Sequence, residues 1–149
     1  MIKIRRAVEK EIPILIDFQQ KMAFETESLT LDPVLLTQGV KAVFHDSDKG
    51  FYLVAEMDGM VVGCTMITPE WSDWRNGTFL WIQSVYVKPE YRKKGVFSML
   101  YTYVKEMVLN SPDYLGLRLY VVNENIVAQK TYFRCGMDGG HYKLYEWIK

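Results

Sequence analysis

Two spacings of apolar residues run through this chain and divide it into strand-like and helix-like segments. Ile2-Lys3-Ile4-Arg5-Arg6 alternates as a short first strand. Ile12, Leu15, Ile16, Met22 and Ala23 then fall on one helical face, and Pro13 is tolerable only if it sits in the first turn. Leu31-Asp32-Pro33 announces a second helix, with Asp32 as N-cap and Pro33 at the first helical position, running to about Phe44. A polar loop spans His45 to Gly50. Phe51–Glu56 and Met60–Thr68 are apolar runs joined through Asp58-Gly59, a pair selected by a type I′ hairpin turn because both central residues need positive φ. Residues 69–77 read as a polar loop carrying Trp71 and Trp74.

Phe79 to Val87 is nearly continuous in apolar residues, interrupted only by Gln83 and Ser84, as in a strand covered on both faces. Pro89 stops it. After Arg92-Lys93-Lys94-Gly95, apolar residues recur at Val96, Leu100, Tyr103, Val104 and Met107, the spacing of a helix packed on one side. Ser111-Pro112-Asp113 is a break, and Leu115, Leu117, Leu119 and Val121 alternate as another strand. A helix from Asn125 ends near Gly136, a left-handed C-cap, and Tyr142–Trp147 reads as a last strand. The order β-α-α-β-β-β-α-β-α-β predicts a mixed α/β sheet flanked by helices.

Composition narrows the class. At 149 residues the chain suits one domain, residues 1–149, with a single substantial core. Lys plus Arg equals Asp plus Glu, 18 of each, so no net basic field draws in nucleic acid. No apolar run reaches membrane-spanning length, and Met1-Ile2-Lys3-Ile4-Arg5 lacks the apolar core of a signal peptide, so the expectation is a cytoplasmic protein with no membrane partner. Cys64 and Cys135 are too few and too distant for a disulfide framework or zinc site, and His45 and His141 are isolated; no metal is expected.

The chemistry concentrates at the junction between the central strand and the helix after it. The first N–H groups of a helix lack intrahelical partners and sit at the positive end of its dipole, so an anion placed there satisfies them. Gly95 lets a phosphate approach, and Arg92, Lys93 and Lys94 add charge. The alternative is a plain strand-to-helix connection with solvated lysines. The turn is neither a Walker P-loop nor a G-x-G-x-x-G motif.

The wider pattern resembles the GNAT superfamily of acetyl-CoA-dependent N-acetyltransferases. Its Arg/Gln-x-x-Gly-x-Gly/Ala signature is matched by Arg92-Lys93-Lys94-Gly95-Val96-Phe97, except that Phe97 stands where Gly or Ala is usual. The motif Asn-x-x-Ala-x-x-x-Tyr-x-x-x-Gly-Phe is matched from Asn125 through Ala128, Tyr132 and Gly136, with Met137 replacing the final Phe. The resemblance covers essentially the whole chain. It implies a fold in which the strands ending at Val87 and starting near Leu115 splay apart. It also implies pantetheine bound along the backbone of Val85, Tyr86 and Val87, and pyrophosphate bound by Arg92, Lys93, Lys94, Gly95, Val96, Phe97 and Ser98.

On the same resemblance Asn125 bonds to CoA and Tyr132 is the general acid for the departing thiolate. A tyrosine on a helix, taken alone, reads more simply as a core aromatic. Many relatives carry a Glu where Gln83 stands here, and an amide takes no proton at neutral pH. Glu25 and Glu27, in the loop after the first helix, and His141 are fallback bases, as is a water chain. Cys135 lacks a visible activating base, so direct transfer is preferred to an acyl-enzyme. The acceptor walls are sought in Phe24–Glu27, the Trp71–Trp74 loop and Tyr142 or Tyr145, with Glu27, Gln83 and Trp74 as substrate-binding residues. Carboxylates beside aromatics favour a small cationic amine, an amino acid or a polyamine. A peptide acceptor and an acyl-CoA sensor without turnover both stay open. Relatives are often dimers, so a homodimer is a further expectation.

Overall fold

The computed structural model describes residues 1–149, which form two compact units, Met1–Arg118 and Leu119–Lys149. In the first unit, strand β1 (Ile2–Arg6) leads into helices α1 (Ile12–Glu27) and α2 (Pro33–His45). Strands β2 (Phe51–Met57), β3 (Met60–Ser72) and β4 (Gly77–Val87) follow, then helix α3 (Val96–Leu109) and strand β5 (Tyr114–Arg118). The second unit contains helix α4 (Ile126–Arg134).

The local signals act where the sequence places them. Pro13 lies in the first turn of α1, and Asp32 caps α2 by accepting from the N–H groups of Val34 and Leu35 at 2.8 and 3.1 Å. Asp58 and Gly59 both adopt positive φ, 51° and 77°, between Met57 and Met60, which face each other across the β2–β3 hairpin. Three boundaries differ from expectation, one of them the strand expected from Leu115 to Val121, which ends at Arg118. Helix α1 runs through Glu25 and Glu27, which are therefore helical rather than in a loop; Ser28, left-handed at φ 54°, ends it. Strands β3 and β4 extend through Trp71 and Ser72, which pair with Thr78 and Gly77. The expected loop of residues 69–77 thus shrinks to Asp73–Asn76, because main-chain pairing continues past the polar side chains.

The sheet has the order β1-β2-β3-β4-β5, antiparallel except for the parallel pair β4–β5. On one face Leu15 and Phe18 of α1 and Val40 of α2 pack with Tyr52, Val54, Cys64 and Tyr86. On the other, Leu100, Tyr101 and Val104 of α3 surround a small apolar cavity with Thr65, Ile82, Val85 and Phe97. Full burial of Leu15, Phe18, Val40, Val54, Leu100 and Val104 stabilises the fold by about 1.5–3 kcal/mol each.

In the second unit, the side-chain oxygen of Asn125 caps α4 by accepting from Ala128 N–H at 3.1 Å, and Gly136 at φ 86° closes its other end. Residues 138–149 adopt neither helix nor strand, so the expected last strand Tyr142–Trp147 is not formed.

Candidate active site

Strand β4 is built to change direction midway. Cys64 faces Tyr86 and Met66 faces Gln83, so Thr65 alone opposes both Ser84 and Val85: a β-bulge, with Ser84 left-handed at φ 52°. The buried Thr65 hydroxyl donates to Gln83 O at 2.8 Å and occupies a carbonyl that the bulge takes out of register. The extra residue also shifts the side-chain alternation. Ile82 and Val85 share the α3 face, while Tyr86 turns to the opposite face and meets Phe18 with ring centroids 4.9 Å apart.

The other edge of β4 is paired with β5 only from Thr78 to Trp81. Strand β5 ends opposite Trp81, so the main-chain groups of Val85, Tyr86 and Val87 on this side lie outside the β4–β5 ladder. This is the geometry needed to take up an extended amide-bearing chain as an added strand.

Past Val87 the chain turns toward α3. Lys88 N–H donates to Val62 O at 2.9 Å, and Pro89–Tyr91 form a 3-10 turn. At Gly63 on β3 a Cβ would come within 2.9 Å of Tyr86 O and 3.2 Å of Val96 Cγ1. Only glycine admits this close approach of the end of β4 and the start of α3. Lys93 and Gly95 are left-handed, at φ 60° and 80°. Gly95 is the N-cap of α3 and offers no capping side chain; the helical ladder begins with Met99 N–H to Gly95 O at 3.0 Å. The N–H groups of Val96, Phe97 and Ser98 precede that ladder and sit at the positive end of α3. A Cβ on Gly95 would meet no protein atom within 4 Å, so its side is open to a ligand. A diphosphate fits this donor set and this space. The Phe97 side chain is half-buried on the cavity side, beside Tyr101, so the bulky residue points away from the turn.

Arg92 is held from two directions. Its Nε donates to Val87 O at 2.8 Å, and Nη2 donates to Glu25 Oε2 at 2.6 Å. Glu25 and Phe24 in turn line an open groove of about 420 Å³ with Gln20, Lys21, Leu29 and Thr30. The carboxylate of that groove is therefore one ion pair away from the β4–α3 turn. Glu25 appears in the sequence as one of several acidic residues; its pairing with a residue 67 positions later is a product of tertiary packing.

The three expected acceptor residues are not gathered at one point. Gln83 is half-buried on β4, its amide donating to Thr68 Oγ1. Trp74 sits at the tip of the β3–β4 hairpin, 88% exposed. Six residues of strand separate Gln83 from Gly77, about 20 Å at some 3.3 Å per residue. Glu27 is exposed in the last turn of α1, next to the groove residue Glu25 in the same turn. No three His, Cys, Asp or Glu side chains converge to hold a metal ion.

In the second unit, Asn125 serves as the cap of α4, which commits its side-chain oxygen but leaves its NH2 for another partner. Tyr132 is half-buried, and burial, followed by the nearby Cys135, pushes its phenol above the ordinary value of 10. It is therefore protonated throughout the neutral range. Cys64, by contrast, is buried and pushed up to about 12, an inert thiol.

Known proteins are similar to this chain in sequence and fold. The family model described as the acetyltransferase (GNAT) family matches residues 15–137. A possible acetyltransferase from Clostridium difficile 630 is 45% identical, with a TM-score of 0.94 over 100% of this chain and 98% of that chain. An aminoglycoside N-acetyltransferase in complex with CoA has a TM-score of 0.80 at 14% identity, over 100% of this chain and 95% of that one. A ribosomal-protein-alanine N-acetyltransferase from Brucella melitensis biovar Abortus 2308 has a TM-score of 0.80 at 13% identity, with 100% of both chains covered. A comparison with curated proteins gives no match.

Proposed function

Because the chain belongs to the GNAT acetyltransferase family, and is accordingly an acetyl-CoA-dependent N-acetyltransferase, we propose that its acceptor is the primary amine of a small cationic molecule. Acetyl-CoA, when bound, supplies an activated acetyl thioester. The observation that carries the reading is the continuity between the open edge of β4 at Val85–Val87 and the uncapped start of α3 behind left-handed Gly95. The first offers main-chain partners for the amides of the pantetheine arm, and the second offers N–H groups for the pyrophosphate. Lys93 and Lys94, both exposed, add positive charge around it.

The acceptor is assigned to the groove at the end of α1. Glu25, which also pairs with Arg92, lines the groove, Glu27 lies beside it in the same turn, the cation of Lys21 is held by Asp17, and Phe24, 65% exposed, supplies an aromatic surface for a cation. Gln83 cannot act as base, so the amine must arrive neutral or lose its proton to water; the Gln83 amide instead orients what lies along β4. Tyr132 Oη gives its proton to the sulfur that leaves. Its raised phenol value keeps that proton in place at neutral pH, where a donor is required. Trp74, remote along the hairpin from Gln83, suits the far end of a longer acceptor rather than the reacting amine.

The test is thiol release from acetyl-CoA measured against a panel of polyamines, amino acids, aminoglycosides and peptides. Turnover with small cations at lower KM than with neutral or acidic amines supports the proposal. Tight acetyl-CoA binding with no release on any acceptor overturns it in favour of an acyl-CoA-binding module, and preferential turnover of peptides overturns the acceptor class.

A further inference from the structure

The groove at the end of α1 lies wholly within Met1–Arg118, and both charged groups on its lining already have partners. Lys21 Nζ donates to Asp17 Oδ2 at 2.7 Å, and Glu25 accepts from Arg92 through Oε2 at 2.6 Å. The positive charges of Lys21 and Arg92 and the negative charges of Asp17 and Glu25 therefore cancel. Arg92 leaves Glu25 Oε1 for a further donor, and Glu27, beside Glu25 in the last turn, adds one negative charge. That balance suits one ammonium. A second would lie near Lys21 and Arg92 without a carboxylate of its own, and like charges repel.

Beside these groups the lining presents Phe24 and Leu29, 65% and 49% exposed. The ring of Phe24 adjoins Glu25 in sequence and can hold the same ammonium, whereas Leu29 offers hydrocarbon alone. The segment carrying Leu29 is fixed. Ser28 N–H donates to Phe24 O at 3.0 Å and Leu29 N–H to Ala23 O at 3.2 Å. The Gln20 amide clamps Leu31, donating to its carbonyl at 2.8 Å and accepting from its N–H at 3.0 Å. The polar group of Gln20 is thereby committed to the main chain, and a wall held in this way binds a ligand with little ordering cost.

Resting on the reading of this groove as the acceptor site, we propose that it takes a primary amine with a single cation and an apolar body, an arylalkyl- or alkylamine, in preference to a polyamine or an aminoglycoside. The ammonium lies at Glu25 Oε1, and the hydrocarbon covers Leu29 and the remaining face of Phe24. A volume of about 420 Å³ falls within the range of sites that enclose a small ligand. Contact made by an unreactive apolar body is the same in the ground and transition states, so it lowers KM and leaves kcat unchanged. Each methylene taken out of water contributes up to about fourfold.

Hexylamine and hexamethylenediamine compare the two classes at equal chain length. Hexylamine should perturb the Thr30 amide signal in NMR spectra of the full chain at a concentration about tenfold lower, because the diamine must desolvate its second ammonium against hydrocarbon. Its KM in thiol release from acetyl-CoA should be lower by the same factor, with similar kcat. Leu29→Ser, at an exposed position, should weaken hexylamine by about fourfold or more and leave the diamine unaffected. Lys21→Gln should narrow the gap by improving the diamine. Equal or tighter binding of the diamine overturns the proposal, as does a folded Leu29→Ser protein that binds hexylamine like wild type. The reading of the groove as the acceptor site fails differently: hexylamine then perturbs Thr30 and responds to Leu29→Ser in binding, while thiol release follows neither. That result upholds the ligand class of the groove and overturns only its catalytic use.

Discussion

Arg92 Nη2 and Glu25 Oε2 are 2.6 Å apart, and this pair ties the last turn of α1 to the turn that precedes α3. Both side chains are more than a third exposed, so the pair adds at most about 1 kcal/mol to stability. Its importance lies in where it joins the groove to the cofactor turn. Glu25→Gln should raise the acceptor KM several-fold and leave the melting temperature almost unchanged. Loss of stability with an unaltered KM would show that the carboxylate is a strut and not an acceptor contact.

Gly95 separates backbone strain from ligand contact. Its φ of 80° costs an L-residue about 1–2 kcal/mol, but a Cβ there meets no protein atom. Gly95→Ala should therefore lower stability slightly, whereas Gly95→Asp should in addition abolish acetyl-CoA binding by placing a carboxylate beside the pyrophosphate. Calorimetry on folded protein checks this, and unchanged affinity in Gly95→Asp rules out the cradle.

Removing only the hydroxyl in Tyr132→Phe should reduce kcat by about 10²–10⁴-fold, the usual share of general acid catalysis, with acetyl-CoA affinity within a few-fold. Burial raises the phenol above 10, so the wild-type rate should fall on the alkaline side only above that pH. The variant should lack this limb. A variant that turns over like wild type makes Tyr132 a packing residue.

The bulge in β4 depends on Thr65. Its hydroxyl donates to Gln83 O within a buried environment, so Thr65→Val leaves a carbonyl without its partner and should cost about 1–3 kcal/mol by chemical denaturation. Acetyl-CoA affinity should fall as well, since the path of Val85–Val87 depends on the bulge. A stable variant with normal affinity would mean that the bulge persists without the bond.

Glu11 gives the fold a defined acid limit. Its side chain accepts from Arg5 at 2.6 and 3.0 Å and from Val8 N–H at 2.8 Å, and the Arg5 bonds chiefly hold its carboxyl below the ordinary 4.5, against the opposing effect of burial. With the folded value below the unfolded one, its contribution is complete above about 4.5 and disappears as pH falls through the folded value. Glu11→Gln should therefore destabilise the protein at pH 7 and flatten the dependence of its melting temperature on pH below 4.5. An equal loss of stability at all pH values would show that packing, and not charge, is at stake.

The features that the sequence determines by itself are those whose cause is local. Asp32-Pro33 starts a helix because its donors are satisfied within three residues, and Asp58-Gly59 makes a hairpin because both residues accept positive φ. The basic turn from Arg92 to Gly95 and the Asn125–Gly136 helix likewise carry their chemistry in consecutive residues, which is why the family is legible without coordinates. Tertiary structure decided the rest, because its causes lie between distant segments. The phase shift in β4 arises from Thr65 opposing two residues, not from anything in the run Phe79–Val87. Glu25 acquires its place from Arg92, 67 positions away, and Trp74 is carried from Gln83 by hairpin pairing that continues to Ser72. Tyr142–Trp147 has every local mark of a strand and adopts none, since a strand's free energy resides in its neighbour's main chain and side chains rather than its own.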